Sequence, residues 1–132
     1  MKYMLDTNIM IYVRNNQPKK VFQIFKEHKA GDLCISSITL AELEFGVRNS
    51  SNPQMNQSAL MSLLASVMVV PFDSSAAIEY SEIRFDLEKK GKMIGPYDLL
   101  IAAHAKTLNL TLVTNNEREF KRVEGLKVEN WC

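Results

Sequence analysis

Short runs of consecutive apolar residues alternate along this chain with longer stretches in which apolar side chains recur every three or four positions. Tyr3-Met4-Leu5, Leu33-Cys34-Ile35, Val67 to Phe72 and Leu110 to Thr114 are the short runs, and each reads as a buried strand. Lys127-Val128-Glu129 reads as a last edge strand. Ile9 to Arg14 has room for one or two helical turns. From Pro18 to Lys29, Val21, Phe22, Ile24 and Phe25 share an inner side with lysines outside, a helix opened by Pro18 and ended by Gly31. Ser36 or Ser37 caps a helix from Ile38 to about Arg48, and Pro53 to about Val67 is helical by spacing. Asp73-Ser74-Ser75 caps a long amphipathic helix ending at Gly91, and Gly95-Pro96 opens another from Tyr97 to Leu108. Strands alternating with helices predict an α/β sandwich around a mostly parallel sheet. Ligands of such sheets gather beyond the carboxyl ends of the strands.

Composition narrows the class. The chain has 132 residues, enough for a single domain over residues 1–132, and it shows no repeat or linker. A net charge of +1 argues against a polybasic protein. The longest apolar stretch, Ala59 to Phe72, is broken by Ser62 and Ser66 and is too short to span a bilayer. Asp6 spoils any signal-peptide core, so a soluble, cytoplasmic protein with no membrane association is expected. Cys34 reads as a small core residue and the terminal Cys132 as frayed, which leaves no disulfide framework.

Acids and small polar residues follow the strands. Asp6-Thr7-Asn8 follows the first, Ser36-Ser37 and a helix carrying Glu42 follow the second, and Thr114-Asn115-Asn116 follows the late one with Glu117 and Glu119 behind it. Asp98 lies in the first turn of the helix opened by Pro96. Singly, each acid has an ordinary role open to it: Asp6 as a helix cap, Asp98 as a favourable charge at a helix N-terminus, Glu119 as a solvated side chain. Glu42 has Ile38, Phe45 and Gly46 within about 60° on the helical wheel. Glu44 has Leu40 and Val47 near it, and the wheel does not decide between the two acids. If the acids converge, two carboxylates about 4 Å apart repel by roughly 4 kcal/mol at an effective dielectric near 20. Such a cluster raises its own pKa values or binds a cation. All-oxygen ligands suit Mg²⁺ or Mn²⁺, and the lack of a Cys-x-x-Cys pair disfavours zinc.

Neither histidine suits acid–base chemistry. His104 lies about 120° around the helix from Asp98, and His28 sits at a lysine-rich helix end. No glycine-rich phosphate loop and no Gly-x-Ser-x-Gly elbow is present. A phosphoacceptor receiver domain also has an acidic pocket in an α/β fold. It wants paired acids after the first strand and a lysine after the last, where this chain has Asp6-Thr7-Asn8 and Thr114-Asn115-Asn116.

Four segments, Met4-Leu5-Asp6-Thr7-Asn8, Ile35 to Leu43, Gly95 to Ala105 and Leu112 to Phe120, resemble in order and spacing the signature segments of PIN-domain ribonucleases. The resemblance is strongest to the VapC toxins of bacterial VapBC toxin–antitoxin pairs. It implies a PIN-like α/β/α sandwich. It also implies Asp6, Glu42 and Asp98 as a catalytic, metal-binding acidic centre, and so selects Glu42 over Glu44. Where many members carry a fourth Asp this chain has Asn116, and Glu119 becomes the remaining candidate. Thr7, Asn8, Thr114, Asn115 and Asn116 resemble the small polar residues that orient those acids.

The implied activity is Mg²⁺-dependent endoribonuclease cleavage, with Mn²⁺ able to substitute, leaving 5′-phosphate and 3′-hydroxyl ends. The implied substrate is a structured RNA such as a tRNA, cut so as to inhibit translation and growth. The implied partners are a cognate VapB-type antitoxin, whose Arg would enter the acidic pocket, and a second copy in a homodimer. Phe22, Phe25, Leu60, Leu63 and Leu64 supply apolar surface for core and partners. A non-catalytic PIN module would have lost central acids, and this chain keeps them. Outside the four candidate acids, 16 Lys and Arg face 11 Asp and Glu. Lys89, Lys90, Lys92, Arg118, Lys121 and Arg122 are the candidate RNA-binding rim.

Overall fold

A computed structural model describes all 132 residues. Strand β1 (Tyr3–Leu5) lies at the centre of a five-stranded sheet of order β3-β2-β1-β4-β5, with β2 Leu33–Ser36, β3 Met68–Val70, β4 Thr111–Val113 and β5 Val128–Glu129. Every pairing is parallel, with Met4 opposite both Cys34 and Leu112. The chain builds outward from β1 to β3, then crosses back to lay β4 on the other side of β1. The strand order therefore reverses between β1 and β4, the place beyond whose carboxyl ends such sheets bind their ligands.

Alternation along the strands feeds two cores. Met4, Cys34 and Leu112 point to one face, under α5 (Ser74–Lys90), α6 (Pro96–Thr107) and Phe120 of the short α7 (Glu117–Phe120). Leu5, Leu33, Ile35 and Val113 point to the other, under α1 (Thr7–Asn15), α2 (Lys19–Glu27), α3 (Ser37–Arg48) and α4 (Pro53–Leu64). Helices on both faces account for the apolar residues at consecutive positions of the central strands.

Three expectations need correction. The run Val67 to Phe72 is not a buried strand: β3 is the sheet edge, and Met68 and Val69 stand 47% and 40% exposed. Gly31 does not end the second helix. That helix stops at Glu27, because His28 turns extended and stacks its ring at 5.3 Å on Trp131, with Tyr3 edge-on to both. The chain end is not frayed: Trp131 is buried, and the Cys132 N–H donates to Asn130 Oδ1 at 2.8 Å. Cys34 is a buried free thiol, as expected. No helix is long and apolar enough to cross a membrane.

His104 is a core residue. Its Nδ1 lies 2.8 Å from Ser36 Oγ, and it also bonds to the Pro71 carbonyl. Burial holds its pKa below the usual imidazole value, so the ring is neutral. Because Pro71 can only accept, the ring N–H goes there and Nδ1 accepts from the Ser36 hydroxyl. The same Ser36 Oγ accepts from the Ile38 N–H at 3.1 Å and caps α3. Ser36 thus ties α3, which carries Glu42, to α6, which carries Asp98. Ser36→Ala removes the cap and leaves Nδ1 unpaired. It should lower unfolding free energy by about 2–3 kcal/mol in urea titration, and a change below about 0.5 kcal/mol would mean that water replaces the hydroxyl without cost.

Candidate metal and nuclease centre

Each candidate acid is placed by a strand end or a helix start. Asp6 leaves β1 and caps α1, its Oδ1 accepting from the Ile9 N–H at 2.9 Å. It is 4% exposed and also bonded by Thr114, which follows β4. The cap role expected of Asp6 and its place in the acidic cluster therefore coexist in one side chain. Glu42, on α3, accepts from the Thr7 hydroxyl at 2.6 Å. Glu44 instead faces α4 and accepts from Gln57 at 3.0 Å, which separates the two acids that the helical wheel leaves equivalent. Asp98 stands in the first turn of α6, after Pro96 at its opening.

Glu119, on α7, is held at both oxygens: Oε1 accepts from the Gly95 N–H and Oε2 from the Asn116 side-chain amide, each at 2.6 Å. A Cβ built on Gly95 would lie 3.4 Å from Asp98 Oδ2 and 3.7 Å from Glu119 Oε1, so this backbone runs directly under both carboxylates. Asn116 stands where the family resemblance leads one to expect an acid, and it fixes the acid three residues on. Its own N–H donates to Thr114 Oγ1 at 2.9 Å.

Asp6 and Asp98 are both pushed up to about 6, chiefly by burial. For Asp98 the negative fields of Glu119, Asp6 and Glu42 add to it, and for Asp6 that of Glu42. The four acids thus share one electrostatic neighbourhood. None of the ion pairs in the molecule involves any of them. No three His, Cys, Asp or Glu side chains lie close enough to one another to hold a metal ion by themselves, so an ion here would keep part of its water shell. An open set of hard oxygens suits an ion that keeps several of its waters, as Mg²⁺ does.

Among the supporting residues, Thr7, Thr114 and Asn116 touch the acids directly. Asn8 is exposed, and its backbone N–H bonds to Asp6. Asn115 points away, its amide donating to the Tyr12 hydroxyl at 3.3 Å. Two contributors escape the sequence reading. Thr39 lies 3.3 Å from Thr7 Oγ1, and its place three residues before Glu42 on one helix was the available signal. The Gly95 N–H had none, because a backbone donor leaves no trace in residue type. Of the basic rim, Lys90 pairs with Asp86 at 3.0 Å, Lys121 pairs with Glu117 at 3.4 Å, and Arg122 donates to the Met93 carbonyl at 2.9 Å. Lys89, Lys92 and Arg118 are exposed and form no ion pair.

A profile of the PIN domain matches residues 3–126, and the chain belongs to the PIN domain family. It is 46% identical over 132 residues to Ribonuclease VapC2 of Rickettsia felis, covering 99% of this chain and 98% of that one. It is 41% identical over 131 residues to the tRNA(fMet)-specific endonuclease VapC of Shigella flexneri, with the same coverages. The crystal structure of DNA-bound VapBC from Salmonella typhimurium superposes with a TM-score of 0.94 at 41% identity, over 100% of this chain and 99% of that one. Fold and relatives together make the protein a nuclease of the VapC type.

An acid whose folded pKa lies above its unfolded value binds more protons folded than unfolded between the two. Its contribution to stability therefore falls as pH rises from about 4 to about 6 and stays lost above that. In chelator, Asp6→Asn should be more stable than the unaltered protein by about 3 kcal/mol at pH 7.5, with the advantage vanishing near pH 4, since Asn keeps the capping oxygen. Urea titrations across pH measure this, and a less stable Asp6→Asn protein at pH 7.5 would contradict the electrostatic description.

Proposed function

We propose that Asp6, Glu42, Asp98 and Glu119 form the catalytic centre of an Mg²⁺-dependent endoribonuclease toxin, with Mn²⁺ able to substitute. The carrying observation is that four carboxylates gather at the switch point of a parallel sheet with no basic side chain paired to any of them. Asp6 and Asp98 would hold the cation directly, since Asp98 has no donor of its own and Asp6 is the most buried of the acids. A bound hard divalent cation supplies a water of lowered pKa and offsets charge on the scissile phosphate. Glu42, braced by Thr7, and Glu119, braced by Gly95 and Asn116, would orient the attacking water by accepting its hydrogen bonds. Direct attack by water makes no use of a substrate 2′-hydroxyl and leaves 5′-phosphate and 3′-hydroxyl ends. His104 takes no part: it is neutral and bonded within the core.

The substrate reading is a structured RNA, a tRNA above all, as in the name of the Shigella relative. Lys89, Lys92 and Arg118 are the rim groups free to meet its phosphates. The partner reading is a VapB-type antitoxin, since the Salmonella neighbour is a VapBC complex, together with a homodimer of this chain. An antitoxin Arg placed among four unpaired carboxylates would block the centre by charge-assisted hydrogen bonds.

Asp6→Asn removes one charge at nearly constant shape. It should abolish cleavage of bacterial tRNA while the protein stays folded, with the ends of the wild-type products identified by sequencing. Chelator should stop the unaltered protein, and Mg²⁺ or Mn²⁺ should restore it. Cleavage by folded Asp6→Asn, or full activity in excess chelator, would refute the proposal.

A further inference from the structure

Phe45 and Tyr97 have no partner in the fold. They are 67% and 57% exposed, and together with Ala41 and Glu42 they line an open cavity of about 260 Å³. Phe45 lies one helical turn beyond Glu42 on α3, and Tyr97 immediately precedes Asp98 in the first turn of α6. The other large exposed apolar side chains, such as Ile78 and Phe85 on α5 or Met55 and Met61 on α4, line no cavity that contains one of the four acids. Two rings thus stand at the rim of the acidic cluster, and packing within the chain accounts for neither.

The occupant has to tolerate a carboxylate. A protein surface seated here would have to bring a cation to Glu42, whose one hydrogen-bond donor is the Thr7 hydroxyl. A planar base can instead lie against ring faces and leave the carboxylate wet on the phosphate side. Base–aromatic stacking tolerates any base, because every base has a π-face, and its strength varies with the base.

Resting on the ribonuclease reading, we propose that Phe45 and Tyr97 form a nucleobase subsite that holds the base next to the scissile phosphate. The subsite positions the strand and biases which base is accepted there. Its residues are positioning residues and leave the chemistry to the acids.

The test uses the full chain, Mg²⁺ and a pool of stem-loop RNAs with loops of random sequence, with bacterial tRNA alongside and product ends sequenced. The unaltered protein should show a base preference beside the cut. Phe45→Ala and Tyr97→Ala should lose roughly tenfold or more in kcat/KM and flatten that preference, mainly through KM. Phe45→Trp should restore both, and Phe45→Leu, apolar but not flat, should restore neither. On the unaltered protein, an RNA with an abasic residue at the preferred position should be cut as poorly as the Ala variants cut the intact strand. Equal cleavage of abasic and intact RNA overturns the subsite, as does rescue by Phe45→Leu. Sedimentation velocity supplies a further check: if Phe45→Ala breaks a dimer while the base preference persists, the face belongs to a second copy and the proposal fails. No RNA cleavage by the unaltered protein would instead refute the ribonuclease reading beneath it.

Discussion

Repulsion among carboxylates with no cationic partner is the constraint on which this structure turns. Each of the four acids comes from a different helix start or helix face, and the donors that hold them are neutral: hydroxyls, an amide side chain and backbone N–H groups. Neutral donors fix an oxygen in place without cancelling its charge. The burial and mutual fields that push Asp6 and Asp98 up to about 6 are thus left standing in the folded chain. A fold that needed only stability would have placed an Arg or Lys among them.

The parallel sheet makes the gathering possible. Reversal of strand order between β1 and β4 leaves their carboxyl ends side by side, so that Asp6 and Thr114 meet although far apart in sequence. The helices α3 and α6 then bring Glu42 and Asp98 to the same end, and the bond between Ser36 and His104 ties those two helices together beneath them. The buried His104 therefore acts as a strut and not as a catalyst. Asn116 shows a comparable exchange of roles. The expected acid is missing at that position, and the amide that replaces it holds Glu119 beside Asp98.

Legibility in the sequence followed how local the cause was. The parallel layering was readable because a short strand that is apolar at consecutive positions must be covered on both faces, as β1 and β2 are. Proline and serine starts placed α3, α4 and α6 to within a residue or two. The edge position of β3 was not readable, since Met68 and Val69 are as apolar as any central strand and only the strand order exposes them. His28 ended its helix early because of Trp131, more than a hundred residues away, and no local signal encodes that stack. Within the acidic centre the acids were visible as residue types after strand ends. The choice of Glu42 over Glu44 needed family resemblance, and the structure accounts for it physically through Thr7 on one side and Gln57 on the other.

Direct titration with Mn²⁺, followed by the loss of its free electron paramagnetic resonance signal, tests the central claim without relying on any RNA. The unaltered protein should bind Mn²⁺ at neutral pH in competition with Mg²⁺, and Asp98→Asn, folded and otherwise intact, should lose that binding. Equal Mn²⁺ binding by the two proteins would show that these carboxylates are not gathered to hold a cation.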